Sequence, residues 1–429
     1  MEENLERLIN ALRTNGTRAA RYERYYDGRH DLRFATDKFA NTFGELFREF
    51  ALNLCPVVCD AVRDKLRITG FSVESGEVES TEQMTRHIWQ RARMNAVANQ
   101  IHKEALKTGD AYAIVWPNDR GKAHVFAQNS ANIAVEYSLD EPNQMISAMK
   151  WWIDENKYAR ANMFYADRIE RYISRSKVEG YLPAAKDLIA ISDGVTANPF
   201  GIVPVFHFAN NADIGGRGRS ELDPVIPIQD GLNKSSLDML VAMEFAAFRQ
   251  RWATGIEVEY NADGKPIAPF TTGVDSLWVA GDSTARFGDF AAAELEQFLK
   301  VKDSFRADIA SVSATPLHYF LQDATSFPSG ESLRQASSRF TAKVRDRQAA
   351  FGEVWADVMA FALRVDGYET ATIVTQWEDP SPMSEREMLE NLVLKRQLGL
   401  GPEDALIEAG YGAGDVKQMT NDKEENEDR

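Results

Sequence analysis

The sequence predicts a helix-rich α+β fold, and three observations carry the prediction. Apolar residues recur at helical spacing as far as about Lys107, after which the period changes to short β-branched runs bounded by turns. Further on, two long helical stretches flank one compact, strictly alternating stretch. A last helical pattern then runs from near Ser332 to about Val365, roughly 50 Å at ~1.5 Å per residue.

Taken in order, Leu5, Leu8, Ile9 and Leu12 define the first helix, and Tyr22, Tyr25 and Tyr26 continue its aromatic face to a turn at Asp27-Gly28. A second helix follows Pro56, with Val57, Val58, Ala61, Val62 and Leu66 on one stripe, and stops before Gly70. A third is expected from about Ser80 to Lys107, burying Met84, Ile88, Ala92, Val97, Ile101 and Ala105. Strands then read at Ala111 to Trp116, Lys122 to Phe126, Ile133 to Tyr137, Met145 to Ile153 and Ile169 to Ile173, together a mixed sheet packed on the helices. Val203 to Phe208 closes this α+β unit.

The glycine-rich stretch Gly215-Gly216-Arg217-Gly218-Arg219-Ser220 invites a nucleotide-binding interpretation, which its chemistry rejects. A phosphate loop needs four residues between its glycines and then Gly-Lys-Ser/Thr, so that successive amides cradle phosphates at a helix start. Here the lysine is absent and the spacing differs. Ser220, with Asp223 three residues on, instead resembles a capping-box start for the next helix.

That helix spans Pro224 to Trp252, its prolines tolerated in the first turn. Its apolar residues (Ile228, Leu232, Leu237, Leu240, Val241, Met243, Phe245, Phe248) spread over more than one face, as for a helix packed on several sides. Gly255 to Tyr260 alternates, Asn261 to Gly264 turns, and Ser276 to Val279 returns. A helix from about Ala291 to Val312 follows, so two helices lead out to a β tip and back, as a stalk. The loop Ser313 to Gly330 leads into the long helix, whose seam is Leu333, Ser337, Phe340, Val344, Phe351, Val354 and Val358, interrupted by Arg347. A strand at Ala371 to Trp377 and helices at Glu385 to Leu398 and Pro402 to Ala409 precede a polar tail, Met419 to Arg429, too charged to bury and expected to be disordered.

Composition narrows the function. The 429 residues, 44% of them apolar, suffice for about two to three domains. No run of ~18 apolar residues offers a membrane span, and the first thirteen residues carry charges in place of a signal-peptide apolar region, so a cytosolic protein is expected. Lys and Arg total 49 against 65 Asp and Glu, a formal charge of −16, which argues against gripping nucleic acid over the whole surface but suits a wall past which DNA slides. Cys55 and Cys59, the two cysteines, straddle Pro56, and none of the six histidines supplies a second ligand pair. No metal or cofactor is therefore expected. Nor is an enzyme: a Gly-x-Ser-x-Gly elbow and a zinc-binding histidine pair are both absent, and no acid/base carboxylate pair stands out.

Five pieces, in their order and spacing, carry a family resemblance. They are Asp64-Lys-Leu-Arg-Ile-Thr-Gly-Phe71, Gly109-Asp-Ala-Tyr-Ala-Ile-Val-Trp-Pro117, Val203-Pro-Val-Phe206, Gly218-Arg-Ser-Glu-Leu222, and Ser329-Gly-Glu-Ser-Leu333 after a Thr315-Pro-Leu-His318 loop. Together they cover most of the chain, which resembles the portal proteins of siphophages, especially those of Gram-positive and actinobacterial hosts.

The resemblance implies a ring, usually of twelve subunits, around an axial channel, with parts called wing, stem, clip and crown. Carried over by position, 1–223 is wing, 224–252 and 289–312 are stem helices, and 253–288 is a β clip. Residues 313–330 are the tunnel loop, 331–382 the long helix and a wing strand, and 383–429 a short crown with the tail. The tunnel loop then brings Thr315, Pro316, His318, Phe320, Gln322, Asp323, Thr325 and Phe327 to the channel. Lys300, Lys302, Arg306, Arg334, Arg339 and Lys343 either face the channel or pair with acidic neighbours in the ring. Glu257, Glu259, Asp263, Lys265 and Trp278 of the clip are the docking candidates for the terminase large subunit and later a head-to-tail adaptor. The other implied partners are copies of the chain itself, the major capsid and scaffolding proteins, and double-stranded DNA passing without sequence preference, with no membrane. The implied location is the portal vertex of the virion, after assembly in the host cytoplasm. The rival reading is another structural or minor capsid protein of a phage, which needs no DNA channel and no stalk with a β tip.

Overall fold

The computed structural model describes residues 2–73, 78–142, 144–214, 216–247, 251–255, 260–262, 284–289, 295–321, 330–368, 372–381, 385–397, 399, 401, 402 and 405. Helix α1 (Glu2–Tyr26) buries Leu5, Leu8, Ile9 and Leu12 and then Ala19, Tyr22 and Tyr25, as its spacing predicts. Helix α2 (Asp37–Phe50) was not anticipated, although Phe39, Phe43, Phe47 and Phe50 recur at helical spacing and Phe47 is buried. In α3 (Cys55–Arg63) Pro56 occupies the first turn, where its missing N–H costs nothing. Cys55 and Cys59 are buried core residues there, and burial pushes the Cys55 thiol up to about 12.

After β1 (Ile68–Val73), the single helix expected from Ser80 to Lys107 is two, α4 (Val78–Arg91) and α5 (Met94–Thr108). The break is at Arg93, whose φ of 53° is left-handed and ends the i→i+4 ladder. Turning there sends Met94, fully buried, into the core that Ile88 also occupies.

The strands that follow are β2 (Asp110–Pro117), β3 (Ala123–Asn129), β4 (Ile133–Tyr137), β5 (Met145–Ile153), β6 (Tyr158–Phe164), β7 (Arg168–Lys177), β8 (Leu188–Ala197) and β9 (Val205–Ala209). The mixed sheet expected here is instead two antiparallel ones, ordered β3-β2-β9 and β4-β5-β6-β7-β8. Short hairpin connections through most of this stretch leave no room for the crossovers that parallel pairing requires. One face of the five-stranded sheet meets the α1 stripe through Ala134, Met149, Ala161, Met163 and Tyr172. The other meets the three-stranded sheet, with Ile133, Ala148, Phe164 and Ile169 against Tyr112, Ile114 and Val205.

Helix α6 (Ile226–Ala247) begins and ends inside the span expected for it, and Trp252 lies on β10 (Arg251–Thr254), paired antiparallel with β11 (Arg286–Asp289). The alternating stretch and its returning strand fall outside the described residues apart from Gly255 and Tyr260. Helix α7 (Leu295–Ser313) packs on α6, with the Phe305 ring 3.1 Å from where a Cβ on Gly231 would lie. Helix α8 (Gly330–Asp366), 37 residues and about 55 Å by its ~1.5 Å rise, is the spine of the molecule. Phe340, Val344, Phe351, Trp355, Val358, Met359 and Leu363 bury along it against α3, α5 and the three-stranded sheet. Strand β12 (Ile373–Trp377) pairs antiparallel with β1, and α9 (Glu385–Gln397) follows. Of the helix expected at Pro402 to Ala409 only Pro402 and Ala405 are described, and the tail lies outside the described residues.

Candidate functional site

The loop that leaves α7 and returns as α8 is anchored at its near end by the backbone. Ala314 adopts the left-handed conformation, φ 52°, while its N–H donates to Ser311 O and that of Thr315 to Ala310 O, closing the helix with a Schellman motif. Alanine in place of the usual glycine costs about 1 kcal/mol of backbone strain. A 3₁₀ turn at Leu317–Tyr319 follows, and Phe320 drops back into the main core.

Beneath this turn lies a buried ionic cluster. Lys343 of α8 donates to Ser313 O at 2.7 Å and pairs with Glu221 Oε2 at 2.5 Å, while Arg347, one turn on, pairs with Glu221 Oε1 at 3.0 Å. Asn210 Nδ2 gives Glu221 a further hydrogen bond at 3.1 Å. Burial raises the Glu221 carboxyl, but Lys343 and Arg347 outweigh it and the group lies below its ordinary range. The carboxylate ahead of α6 thus ties together the end of α7 and the middle of α8, the two helices that bound the loop. An open cleft lined by Arg219, Asp223, Val312 and Ala314 lies beside it.

A second buried cluster explains the glycine-rich stretch. Asp110 accepts from His207 Nε2 at 2.8 Å and from the Gly218 N–H at 2.8 Å, and pairs with Arg18 of α1. Burial raises its carboxyl, but His207, Gly218 and Arg18 together hold it below the usual carboxylate range. With the imidazole neutral and Nε2 donating, His207 Nδ1 accepts a hydrogen bond from the Tyr137 hydroxyl at 2.9 Å. A Cβ on Gly218 would lie 1.9 Å from Gly109 O, and Gly109 itself has φ +100°. These glycines therefore let two backbones cross. Nor is Ser220 a helix cap: its Oγ donates to Lys107 O at 2.6 Å and accepts from Leu222 N, while Asp223 accepts from Tyr22, and turns separate both from α6.

The predicted residues scatter accordingly. Thr315, Pro316 and Phe320 are buried in the subunit, and of the expected tunnel-loop side chains only His318 is exposed among those described. Gln322, Asp323, Thr325 and Phe327 lie outside the described residues, as do Glu257, Glu259, Asp263, Lys265 and Trp278. Lys343, grouped by sequence with channel-facing cations, points into its own subunit because the buried Glu221 carboxylate holds it there. Lys300 is exposed beside Glu296, Lys302 is half-buried, Arg306 is half-buried beside Asp303, and Arg334 and Arg339 are exposed on α8. Glu221 and Asp110 were missed. The available signal was the charge at seam positions of the long helix, since a buried Arg347 demands a buried carboxylate.

A family model described as "Phage portal protein, SPP1 Gp6-like" matches residues 5–427. The chain belongs to this phage portal protein family. The portal protein of Mycobacterium phage L5 is 23% identical over 380 residues, which is 84% of this chain and 76% of that one. That of Mycobacterium phage D29 is 28% identical over 192 residues, 42% of this chain and 39% of its own. Among solved structures, the neck of an empty gene transfer agent particle computed with C6 symmetry gives a TM-score of 0.48 at 16% identity, over 83% of this chain and 88% of the other. The neck of the native particle computed with C12 symmetry gives 0.47 at 13% identity, over the same shares. The portal resemblance read from the five sequence pieces is thus borne out at the level of family, and no helix among the described residues is long and apolar enough to cross a membrane.

Proposed function

We propose that the chain is the subunit of a closed ring at one vertex of a phage capsid, through whose axis DNA is packaged and later ejected. The family match over residues 5–427 carries this reading. The element order supports it: α6 and α7 pack as a pair, a turn follows α7 and the 37-residue α8 comes next, and in this reading they are the stem, the base of the tunnel loop and the helix of the wing. The assignment of residues 253–288 to a clip that docks a terminase and then a head-to-tail adaptor rests on position alone. The subunit catalyses nothing in this reading, since the motor and its energy come from a partner.

Within the ring, Arg339, exposed on α8, is a cation that would meet the channel or an adjacent copy. Leu317, His318 and Tyr319 are the exposed side chains of the turn at the base of the tunnel loop. A subunit of formal charge −16 would let the duplex slide, because each phosphate neutralised by Lys or Arg adds a salt-dependent attachment to break. Deleting residues 322–326 should leave assembly intact and lower packaged DNA in a complementation assay, and undiminished packaging would remove the loop from the mechanism.

A further inference from the structure

Along the second half of α8, the small residues Ala349, Gly352 and Ala356 leave a groove of about 580 Å³ between the helix and β12. Gly352 permits the approach, since a Cβ there would lie 3.0 Å from Trp377 Nε1, and Thr375 Oγ1 donates to its carbonyl at 2.7 Å. Strand β12 pairs with β1, and its outer edge has no strand partner among the described residues. The usual protections of an edge are missing: Ile-Val-Thr-Gln-Trp holds no charge and no proline.

The groove has one sign of charge. Glu353 and Asp357 stand one helical turn apart on its rim, and no Lys, Arg or His lines it. Like charges at this spacing repel, and partial burial together with Glu353 raises the Asp357 carboxyl. A strand without a second strand partner among the described residues, beside a helix whose carboxylates rim the groove, suits strand addition, in which main-chain hydrogen bonds give affinity and alternate side chains enter the groove.

We propose that the groove between β12 and α8 is a docking site for an extended peptide strand of another protein, one whose lysine or arginine meets Glu353 and Asp357. The site does not depend on the portal reading. It is tested on the full chain with a fluorescent heptapeptide of alternating valine and lysine, the same peptide with glutamate for lysine, and the double variant Glu353→Lys, Asp357→Lys, both of whose positions are exposed. The lysine peptide should bind and slow amide exchange at residues 373–377. Affinity should fall about tenfold for the glutamate peptide and for the variant, as two exposed ion pairs of up to ~1 kcal/mol each imply. The proposal is overturned by absent binding, by equal affinity for the two peptides, or by binding that leaves exchange at 373–377 unchanged. It is equally overturned if those amides are already protected in a concentration-dependent way before peptide is added, which would give the groove to a second copy of the chain.

Discussion

Lys343 and Glu221, 122 positions apart in the chain, meet as a buried ion pair that joins α8 to the start of α6, and the same lysine holds the last carbonyl of α7. Removing one partner of such a pair leaves the other charged and buried, which costs more than the pair contributes. Lys343→Met should therefore destabilise the chain by about 3 kcal/mol, measured by urea unfolding, with Arg347 remaining to limit the loss. Pairing it with Glu221→Gln should recover part of that. A loss in the double variant equal to the sum of the two single losses would mean the two groups are not coupled.

Glu221 also sets a pH response. Its folded carboxyl lies below the unfolded value, so its contribution is complete above the ordinary carboxylate range and is lost as pH falls through the folded value. Acid unfolding of Glu221→Gln should accordingly begin from a lower stability but show a shallower slope at low pH than the parent.

Asp230 should behave oppositely. It lies buried under α1, accepting from the Tyr25 hydroxyl at 2.9 and 3.0 Å, and burial pushes its carboxyl up to about 6. A folded value above the unfolded one means stability that is full below about pH 4 and lost as pH rises through 6. Asp230→Asn keeps an acceptor for Tyr25 and should raise stability by about 2 kcal/mol at pH 7.5, with the gain vanishing near pH 4. Denaturant midpoints at the two pH values decide it, and a gain independent of pH would point to packing instead.

Two glycines separate backbone freedom from crowding. Gly218→Ala has no room beside Gly109 O and should cost on the order of 3 kcal/mol or prevent folding. Gly16→Ala, in α1 with nothing within 4 Å of the new Cβ, should stabilise by about 1 kcal/mol. Thermal melts of the two variants moving in the same direction would contradict the crossing assigned to Gly218.

The order of helices and most strands was legible because local periodicity records which face is buried. The stripe Leu5, Leu8, Ile9, Leu12 and the seam from Phe340 to Val358 are single-element patterns of this kind. What escaped depends on contacts between distant segments. Arg93 carries no local sign that the helix turns there, since its left-handed backbone is imposed by burying Met94. Strand β8 was not anticipated, because Ser192, Asp193 and Gly194 break its apolar pattern where the register with β7 is irregular. At the candidate site, the loop's position between two helices was evident, whereas the side chains facing outward were not. Phe320 resembles a channel contact by its exposed-looking neighbours in sequence, yet the apolar core claims it. Lys343 resembles its basic neighbours on α8, and only the fold reveals Glu221 opposite.

The claim on which the functional account rests is assembly. Particle imaging of the purified chain under assembly-like conditions tests it most directly: the account predicts closed rings with an axial hole wide enough for duplex DNA, and a population of monomers and dimers alone would contradict it.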